Sequence, residues 1–236
     1  MKVLAVDTSS VVAGVAVLDD EQLLYEAYNH HRKNHSEILM PLVENALKSC
    51  SLTPRDIDLL AVSNGPGSFT GLRIGISTIK GLAQALDKPV AGVPTLDALA
   101  YNIISPQALV CPIMDARRDQ VYTALYRRDK EDLIRLMPYS AIHISELADR
   151  LNEYGEPVIF TGDGILSYKE KLIDSIGELA LFAPSYLALQ RASVIAWLGR
   201  REALNGRTVS CFDLETFYLR QSQAEQMKKR CTGEGI

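Results

Sequence analysis

The sequence predicts an α/β fold that contains one order of elements twice, βββαβαβα, in two lobes with a cleft between them. Two observations support this prediction. Short apolar runs rich in β-branched residues alternate with longer segments in which apolar residues recur at helical spacing. The part of the chain after residue 105 then repeats the order of the first part with different residues. We therefore expect a duplicated topology without a repeated sequence.

The first half supplies eight predicted elements. In order they are strands at 3–6, 14–18 and 23–28, a helix at 36–48, a strand at 59–62, a helix at 71–86, a strand at 90–93 and a helix from Thr95. Asn34 and Glu37 have the spacing that caps the start of a helix. Pro41 argues against the first helix, because proline is tolerated mainly in a first helical turn.

The second half repeats this order. Its predicted elements are strands at 109–114, 121–126 and 133–137, a helix at 145–152, a strand at 158–160, a helix at 167–176, a strand at 179–182 and a helix at 187–204. Pro106 lies in the expected linker. The sequence thus divides into an N-terminal lobe at 1–105, a C-terminal lobe at 106–220 and a polar tail at 221–236, which we expect to be disordered.

Composition narrows the functional classes. The chain has 236 residues, of which 47% are hydrophobic, so it can bury a large core. A formal net charge of −4 argues against a protein that holds nucleic acid by its bulk charge, and we interpret the basic runs at 117–118, 127–128 and 228–230 as solvated faces. The four cysteines are scattered, and neither a signal peptide nor an apolar membrane span is present. These features predict a reduced, cytoplasmic protein that does not enter membranes.

The segment "SNGPGSFTGLRIGIS" at 63–77 raises the question of a phosphate-binding loop. A Walker A loop needs a lysine that is absent here, and Thr70 stands where a Rossmann loop needs its third glycine. The Gly65–Ser68 stretch instead fits a type II turn, with the positive φ at Gly67. Ser68 or Thr70 could then cap the following helix. The residues alone favour a structural turn over a phosphate site.

Two other turns are better phosphate candidates. An acidic residue ends the first strand and is followed by hydroxyl residues, and a "TGDG" turn precedes a helix in the second half. The candidate residues are Asp7, Thr8, Ser9, Gly162, Asp163 and Gly164. Each turn alone also fits an ordinary turn, in which such residues are favoured. Together they resemble the paired phosphate loops of the actin/Hsp70/sugar-kinase superfamily, which has a ribonuclease H-like fold.

The blocks "VLAVDTSS", "HSEILMPLVENAL", "VSNGPGSFTGLRIGISTIKGLA", "PVAGVPTLDALA", "TGDG" and "YLR" together resemble the bacterial TsaB family over essentially the whole chain. The resemblance implies a scaffold and activating subunit that binds a catalytic TsaD-like paralogue. In that family picture, the catalytic subunit transfers a threonylcarbamoyl group to the adenosine beside the anticodon of tRNA. In the same picture, a TsaE-like ATPase completes the complex. We also expect that tRNA is contacted mainly through the complex and that the chain alone forms a homodimer.

The resemblance also implies that catalytic chemistry is missing. Thr95 and Leu99 stand where TsaD-like proteins carry a histidine pair for metal, and neither replaces an imidazole ligand. His31 and His35 are four apart but precede the predicted helix, so we expect surface histidines and no metal site. No catalytic residue can be named. No cofactor is expected for this chain, with ATP or ADP only as a ligand of the assembled complex.

The two helices that flank the glycine-rich segment form the expected partner surface, because small residues on one face would let another helix approach closely. Its residues are Ser36, Leu39, Leu42, Gly71, Arg73, Ile74, Gly75, Thr78 and Leu82. Two alternatives remain open at this point. One is an ATP-dependent kinase or hydrolase of the actin/Hsp70 superfamily that uses Asp7, and the other is a homodimeric regulator that acts alone.

Overall fold

The structure, a computed structural model, describes residues 1–30 and 34–220. The predicted disordered tail and His31 lie outside the described residues. In the first half, the elements are β1 (Lys2–Asp7), β2 (Ala13–Asp19), β3 (Gln22–Asn29), α1 (His35–Ser49), β4 (Leu59–Gly65), α2 (Phe69–Leu86), β5 (Val90–Pro94) and α3 (Thr95–Tyr101). In the second half, they are β6 (Leu109–Asp115), β7 (Gln120–Asp129), β8 (Asp132–His143), α4 (Ile144–Tyr154), β9 (Val158–Thr161), α5 (Ile165–Ile176), β10 (Ala180–Phe182) and α6 (Ala192–Leu204).

The two halves share one sheet topology, which confirms the predicted duplicated α/β fold. The first sheet has the order β3-β2-β1-β4-β5, and the second has the equivalent order β8-β7-β6-β9-β10. In each sheet the central strand is antiparallel to the hairpin strand on one side and parallel to the crossover strand on the other. In the first sheet, Ala5 of β1 lies opposite Ala16 of β2 and Ala61 of β4.

Helices cover both faces of each sheet, and the last helix of each half packs against the sheet of the other half. On the outer face of the first sheet, α1 and α2 bury apolar side chains that include Leu39, Val43 and Ile79. The inner face packs against Ile195 and Ala196 of α6, although α6 belongs to the second half of the sequence. In return, α3 packs its leucines against β6 and β7. The division of the chain at residue 105 stays a prediction.

The final helix is shorter than predicted. The sequence predicts a helix from residue 187, but α6 begins at Ala192. The carbonyl groups of Leu187, Ala188 and Leu189 accept hydrogen bonds from other parts of the chain, including the Gly162 amide and the Asn102 side chain. These carbonyls are therefore engaged outside a helix, and apolar periodicity alone could not show this.

Two other elements differ from their predictions for local reasons. Strand β8 continues through Pro138 to His143, beyond the predicted end at residue 137, because it is an edge strand and its proline needs no ladder partner. Helix α1 begins at His35 and continues through Pro41, despite the missing amide hydrogen. His35 therefore lies on this helix rather than before it. Asn34 precedes the helix, but its side chain bonds Glu37 instead of capping the backbone.

The predicted type II turn is wrong. The positive φ falls on Gly65, at 118°, and the peptide bond between Gly65 and Pro66 is cis. A side chain at Gly65 would lie 2.3 Å from the carbonyl oxygen of Phe217, so the C-terminal segment leaves no room for one. The cap is as predicted, since the Ser68 hydroxyl accepts a hydrogen bond from the Gly71 amide at 3.3 Å.

The glycines of α2 face in different directions. A Cβ atom at Gly71 would lie 2.0 Å from the Thr8 carbonyl oxygen, and one at Gly75 would lie 2.4 Å from the Thr8 hydroxyl. A Cβ atom at Gly81 would have no neighbour within 4 Å. Gly71 and Gly75 therefore allow α2 to approach the loop after β1, whereas Gly81 faces open space.

We expect opposite effects from alanine at Gly71 and Gly81. Gly71→Ala should lower the free energy of unfolding by about 1–3 kcal/mol, because the added methyl group meets backbone that cannot move aside. Gly81→Ala should raise it by up to about 1 kcal/mol, since alanine is the better helix former. Chemical denaturation of both variants measures the two changes. Equal effects at the two positions would contradict the close packing of Gly71 against Thr8.

Candidate binding cleft between the lobes

A cleft with a volume of about 500 Å³ lies between the two halves of the fold. From the first half it is lined by Ser9, Ser10 and Val11, which follow β1, and by the glycine-rich turn before α2. From the second half it is lined by the 114–118 segment after β6 and by the 163–167 segment at the start of α5. Tyr218 and Arg220 of the C-terminal segment complete the wall.

The loop after β1 is hydrogen-bonded to the protein interior. The buried Asp7 carboxylate accepts hydrogen bonds from the Ser9 amide at 2.8 Å and the Ser9 hydroxyl at 2.7 Å. The Thr8 hydroxyl donates to the Gly71 carbonyl, and the Ser10 hydroxyl donates to the Gln190 side chain, each at 2.7 Å. All three hydroxyl groups therefore donate their protons within the protein instead of facing a ligand.

Asp7 is a buried carboxylate with one incompletely bonded oxygen. Its side chain is 2% exposed, and within the described chain its Oδ2 atom has no hydrogen-bond partner. The hydroxyl oxygen of Ser63 and the Nδ1 atom of His35 likewise have no partner there. Burial raises the pKa of Asp7, and the hydrogen bonds from Ser9 oppose that rise only in part.

Asp115 is the counterpart of Asp7 in the second half, because it ends β6 as Asp7 ends β1. Its carboxylate accepts hydrogen bonds from the Arg117 amide at 2.7 Å and the Tyr168 hydroxyl at 3.1 Å. Its amide donates to Asp163 at 3.3 Å. Burial raises the pKa of Asp163 to about 6. The two acidic side chains thus lie together on one wall of the cleft.

The turn after Asp115 directs two arginines into the cleft region. Arg117, Arg118 and Asp119 all have positive φ angles, of 68°, 56° and 56°. Arg117 and Arg118 are exposed and line the cleft. Arg220 lines the cleft as well, and its guanidinium donates a hydrogen bond to the Ala116 carbonyl oxygen at 2.8 Å. Both arginines are exposed, as the interpretation of this basic pair as a solvated face implies, and they also lie opposite the first phosphate-loop candidate.

The structure brings together only part of the candidate phosphate site. Ser9 and Asp163 line the same cleft, but Asp7 and Thr8 are buried behind its wall. The glycines of the "TGDG" turn serve packing, since Cβ atoms at Gly162 and Gly164 would lie 2.2 and 2.9 Å from the Ile113 carbonyl oxygen. The position of Asp115 after the first strand of the second half was the sequence signal that could have identified the opposite wall.

The positions that correspond to the TsaD-like histidine pair lie in the protein interior. Thr95 and Leu99 are both fully buried in α3, and Leu99 belongs to the apolar cluster between α3 and the second sheet. Within residues 1–30 and 34–220, no three His, Cys, Asp or Glu side chains group closely enough to hold a metal ion. In the same ranges no helix is long and apolar enough to cross a membrane.

Known proteins resemble this chain along nearly its whole length. A family model described as "TsaD: tRNA N6-adenosine threonylcarbamoyltransferase" matches residues 28–226. The tRNA threonylcarbamoyladenosine biosynthesis protein TsaB of Bacillus subtilis is 34% identical, with 95% of this chain and 96% of that protein covered. The Escherichia coli protein of the same name is 29% identical, with the same coverage of both chains.

The chain belongs to the TsaB family. The solved structure of YeaZ from Pseudomonas aeruginosa has a TM-score of 0.79 with this TsaB-family chain at 26% identity, and the match covers 92% of this chain and 99% of that one. ROK hexokinase from Thermus thermophilus has a TM-score of 0.51 at 13% identity, over 86% of this chain and 100% of that one. The hexokinase similarity shows a shared fold alone.

The expected partner surface of this TsaB-family chain needs correction at three positions. Leu39, Gly71 and Gly75 are buried, so they pack inside the fold and cannot contact a partner. The remaining residues are exposed or partly exposed on α1 and α2, namely Ser36, Leu42, Arg73, Ile74, Thr78 and Leu82. The Arg73 guanidinium lies 3.8 Å above the ring of Phe69. Exposed small residues on α2 include Gly81.

Asp7→Asn should stabilise the TsaB-family fold at neutral pH. The pKa of Asp7 is higher in the folded state than in the unfolded state, where it is about 3.9. Ionisation of Asp7 therefore lowers the stability of the fold as pH rises from about 3.9 through the folded-state pKa. An amide keeps the acceptor for Ser9 and removes the buried charge. We expect the free energy of unfolding to increase by about 1 kcal/mol at pH 7, with the difference disappearing below about pH 4.

Denaturation at several pH values measures this difference. Asp7→Ala should destabilise the fold at every pH, since it leaves the Ser9 amide and hydroxyl without an acceptor. Asp174→Asn, at an exposed position on α5, should change the pH dependence little. If Asp7→Asn became less stable relative to the unsubstituted chain as pH rose, burial would not control the ionisation of Asp7.

Proposed function

We propose that this chain is the non-catalytic, activating subunit of a complex that modifies tRNA, and that it acts by binding a TsaD-like catalytic subunit. The reaction is transfer of a threonylcarbamoyl group to the adenosine beside the anticodon. The single observation that supports this role best is the inward bonding of the Thr8, Ser9 and Ser10 hydroxyl groups. A phosphate-binding loop needs donors that face its ligand, and here these donors are already engaged.

The kinase or hydrolase alternative has less support. Asp7 is buried behind the cleft wall and does not line the cleft, so its carboxylate is not placed to hold a cation there. Thr95 and Leu99 contribute to the core at the positions where the catalytic paralogue carries its histidines. The names of the TsaB relatives also support a role in threonylcarbamoyladenosine biosynthesis.

Helices α1 and α2 provide the proposed docking face. They lie side by side on the outer face of the first sheet, and their outward surface includes partly exposed Leu42, Ile74 and Leu82. The corresponding helices of a paralogue would complete a four-helix contact. The same face would form an isologous homodimer when the chain is alone, so the homodimer and the heterodimer compete. A TsaE-like ATPase and tRNA then join through the complex in the cytoplasm.

A charge on the outward side of α2 should block this docking. Gly81→Glu places a carboxylate in open space beside Thr78 and Leu82, so the chain should fold while its affinity for the TsaD-like subunit falls at least tenfold. Modification of tRNA in a reconstituted system should fall to the level seen without this chain. Calorimetry measures the affinity, and nucleoside analysis of the tRNA measures the modification.

Two control variants separate docking from folding. Gly81→Ala adds a side chain without charge and should keep partner binding. Ile173→Glu adds a carboxylate at another partly exposed helical position, on α5 of the second half, and should also bind normally. If Gly81→Glu bound the partner with unchanged affinity, docking through α2 would be wrong. If tRNA modification did not require the chain at all, the proposed activating role would be wrong.

A further inference from the structure

The cleft between the lobes has a volume of about 500 Å³, but its accessible groups differ from those of a phosphate site. The hydroxyls and the acid of the first loop are bonded inward. On the opposite wall, Arg117 and Arg118 are exposed, and Arg220 of the C-terminal segment is partly exposed. Among the described residues, neither Arg118 nor Arg220 forms an ion pair with a carboxylate, and Arg117 approaches Asp115 only at 3.9 Å.

Apolar side chains surround the mouth of this cleft. Leu166, in the first turn of α5, is 83% exposed, and Val11 on the facing lobe is 47% exposed. The rings of Phe69 and Tyr218 also line the cleft and contact each other, with centroids 5.1 Å apart. Exposed apolar side chains around a concave site indicate a ligand with apolar groups of its own.

We propose that the cleft is a docking site for a short peptide segment of a partner protein, in which an acidic side chain lies next to apolar ones. The acidic side chain would pair with Arg118 and Arg117, since guanidinium groups bind carboxylates in a bidentate manner. The apolar side chains would pack between Val11 and Leu166 and against the aromatic rings. A site of roughly 300–1,000 Å³ accommodates a small ligand, so the cleft suits a few residues of chain.

The acidic residues of the cleft are compatible with an acidic ligand. The Asp115 carboxylate is engaged by the Arg117 amide and the Tyr168 hydroxyl. Asp163 is mostly enclosed, and its carboxylate accepts from the Asp115 amide. Three arginines therefore outnumber two acids, and Arg117 and Arg118 are more exposed than either acid. The local charge favours a carboxylate over an ammonium group.

Fluorescence anisotropy with defined peptides tests this proposal on the isolated, full-length chain, without the catalytic subunit. The probe is a labelled hexapeptide of alternating Leu and Glu. A Leu–Lys peptide removes the acidic groups, and a Ser–Glu peptide removes the apolar ones. We expect saturable binding of the Leu–Glu peptide and at least tenfold weaker binding of each comparison peptide. ADP and pyrophosphate serve as competitors that represent a phosphate ligand.

Variants locate the binding in the cleft. Arg118→Glu should weaken binding of the Leu–Glu peptide at least tenfold, and Leu166→Ser should weaken it several-fold. Both side chains are exposed, so circular dichroism should show an unchanged fold. Arg55→Glu makes the same charge change at an exposed position outside the cleft and should leave binding unchanged.

Three results would overturn the proposal. The first is no saturable binding of the Leu–Glu peptide. The second is binding that the Arg118 and Leu166 variants leave unchanged. The third is binding of ADP or pyrophosphate that depends on Arg118 and is tighter than peptide binding, which would make the cleft a phosphate site. None of these results depends on docking through α1 and α2, so failure here and failure of the proposed function are distinguishable.

Discussion

The close contact between the loop after β1 and the start of α2 determines much of the remaining structure. The Ser9 carbonyl oxygen accepts a hydrogen bond from the Ser68 amide at 2.7 Å and would lie only 2.3 Å from a Cβ atom at Gly67. The Thr8 hydroxyl bonds the Gly71 carbonyl one helical turn further on. This contact fixes α2 on the sheet and thereby positions the proposed docking face. It also engages the Thr8 hydroxyl, one of the loop donors that a phosphate would otherwise use.

Two acidic side chains, Glu26 and Asp97, join the two halves through hydrogen bonds. The α6 helix of the second half is held on the first sheet by Glu26, whose carboxylate accepts from the Ser193 amide and hydroxyl and pairs with Arg191. Burial alone would raise the pKa of Glu26, but these hydrogen bonds hold it below its usual value. Across the other interface, Asp97 of α3 accepts from the Tyr126 and Tyr139 hydroxyls at 2.5 and 2.7 Å. Exchange of the last helices thus makes each half depend on the other.

The sequence predicted the fold well because apolar periodicity reports burial, and burial is what these elements share. It predicted the site less well, because the neighbours that a residue faces are determined by contacts between segments far apart in the sequence. Gly71, Gly75 and Gly81 look equivalent in the helix, yet only the first two face Thr8. The start of α6 was missed for the same reason, since the carbonyls of 187–189 bond partners more than twenty residues away. Sequence spacing contains none of this information.

The duplicated topology explains how one cleft could lose a ligand and gain another. In the first half, the loop after the acidic strand end is closed by the glycines of α2, which bring helix backbone against it. In the second half, Gly162 and Gly164 face Ile113 instead of the equivalent turn, and that turn extends Arg117 and Arg118 outward through three residues with positive φ. Once one wall is closed by packing, the other wall determines the chemistry of the cleft. A peptide carboxylate needs only that second wall, whereas a nucleotide phosphate chain needs donors from both.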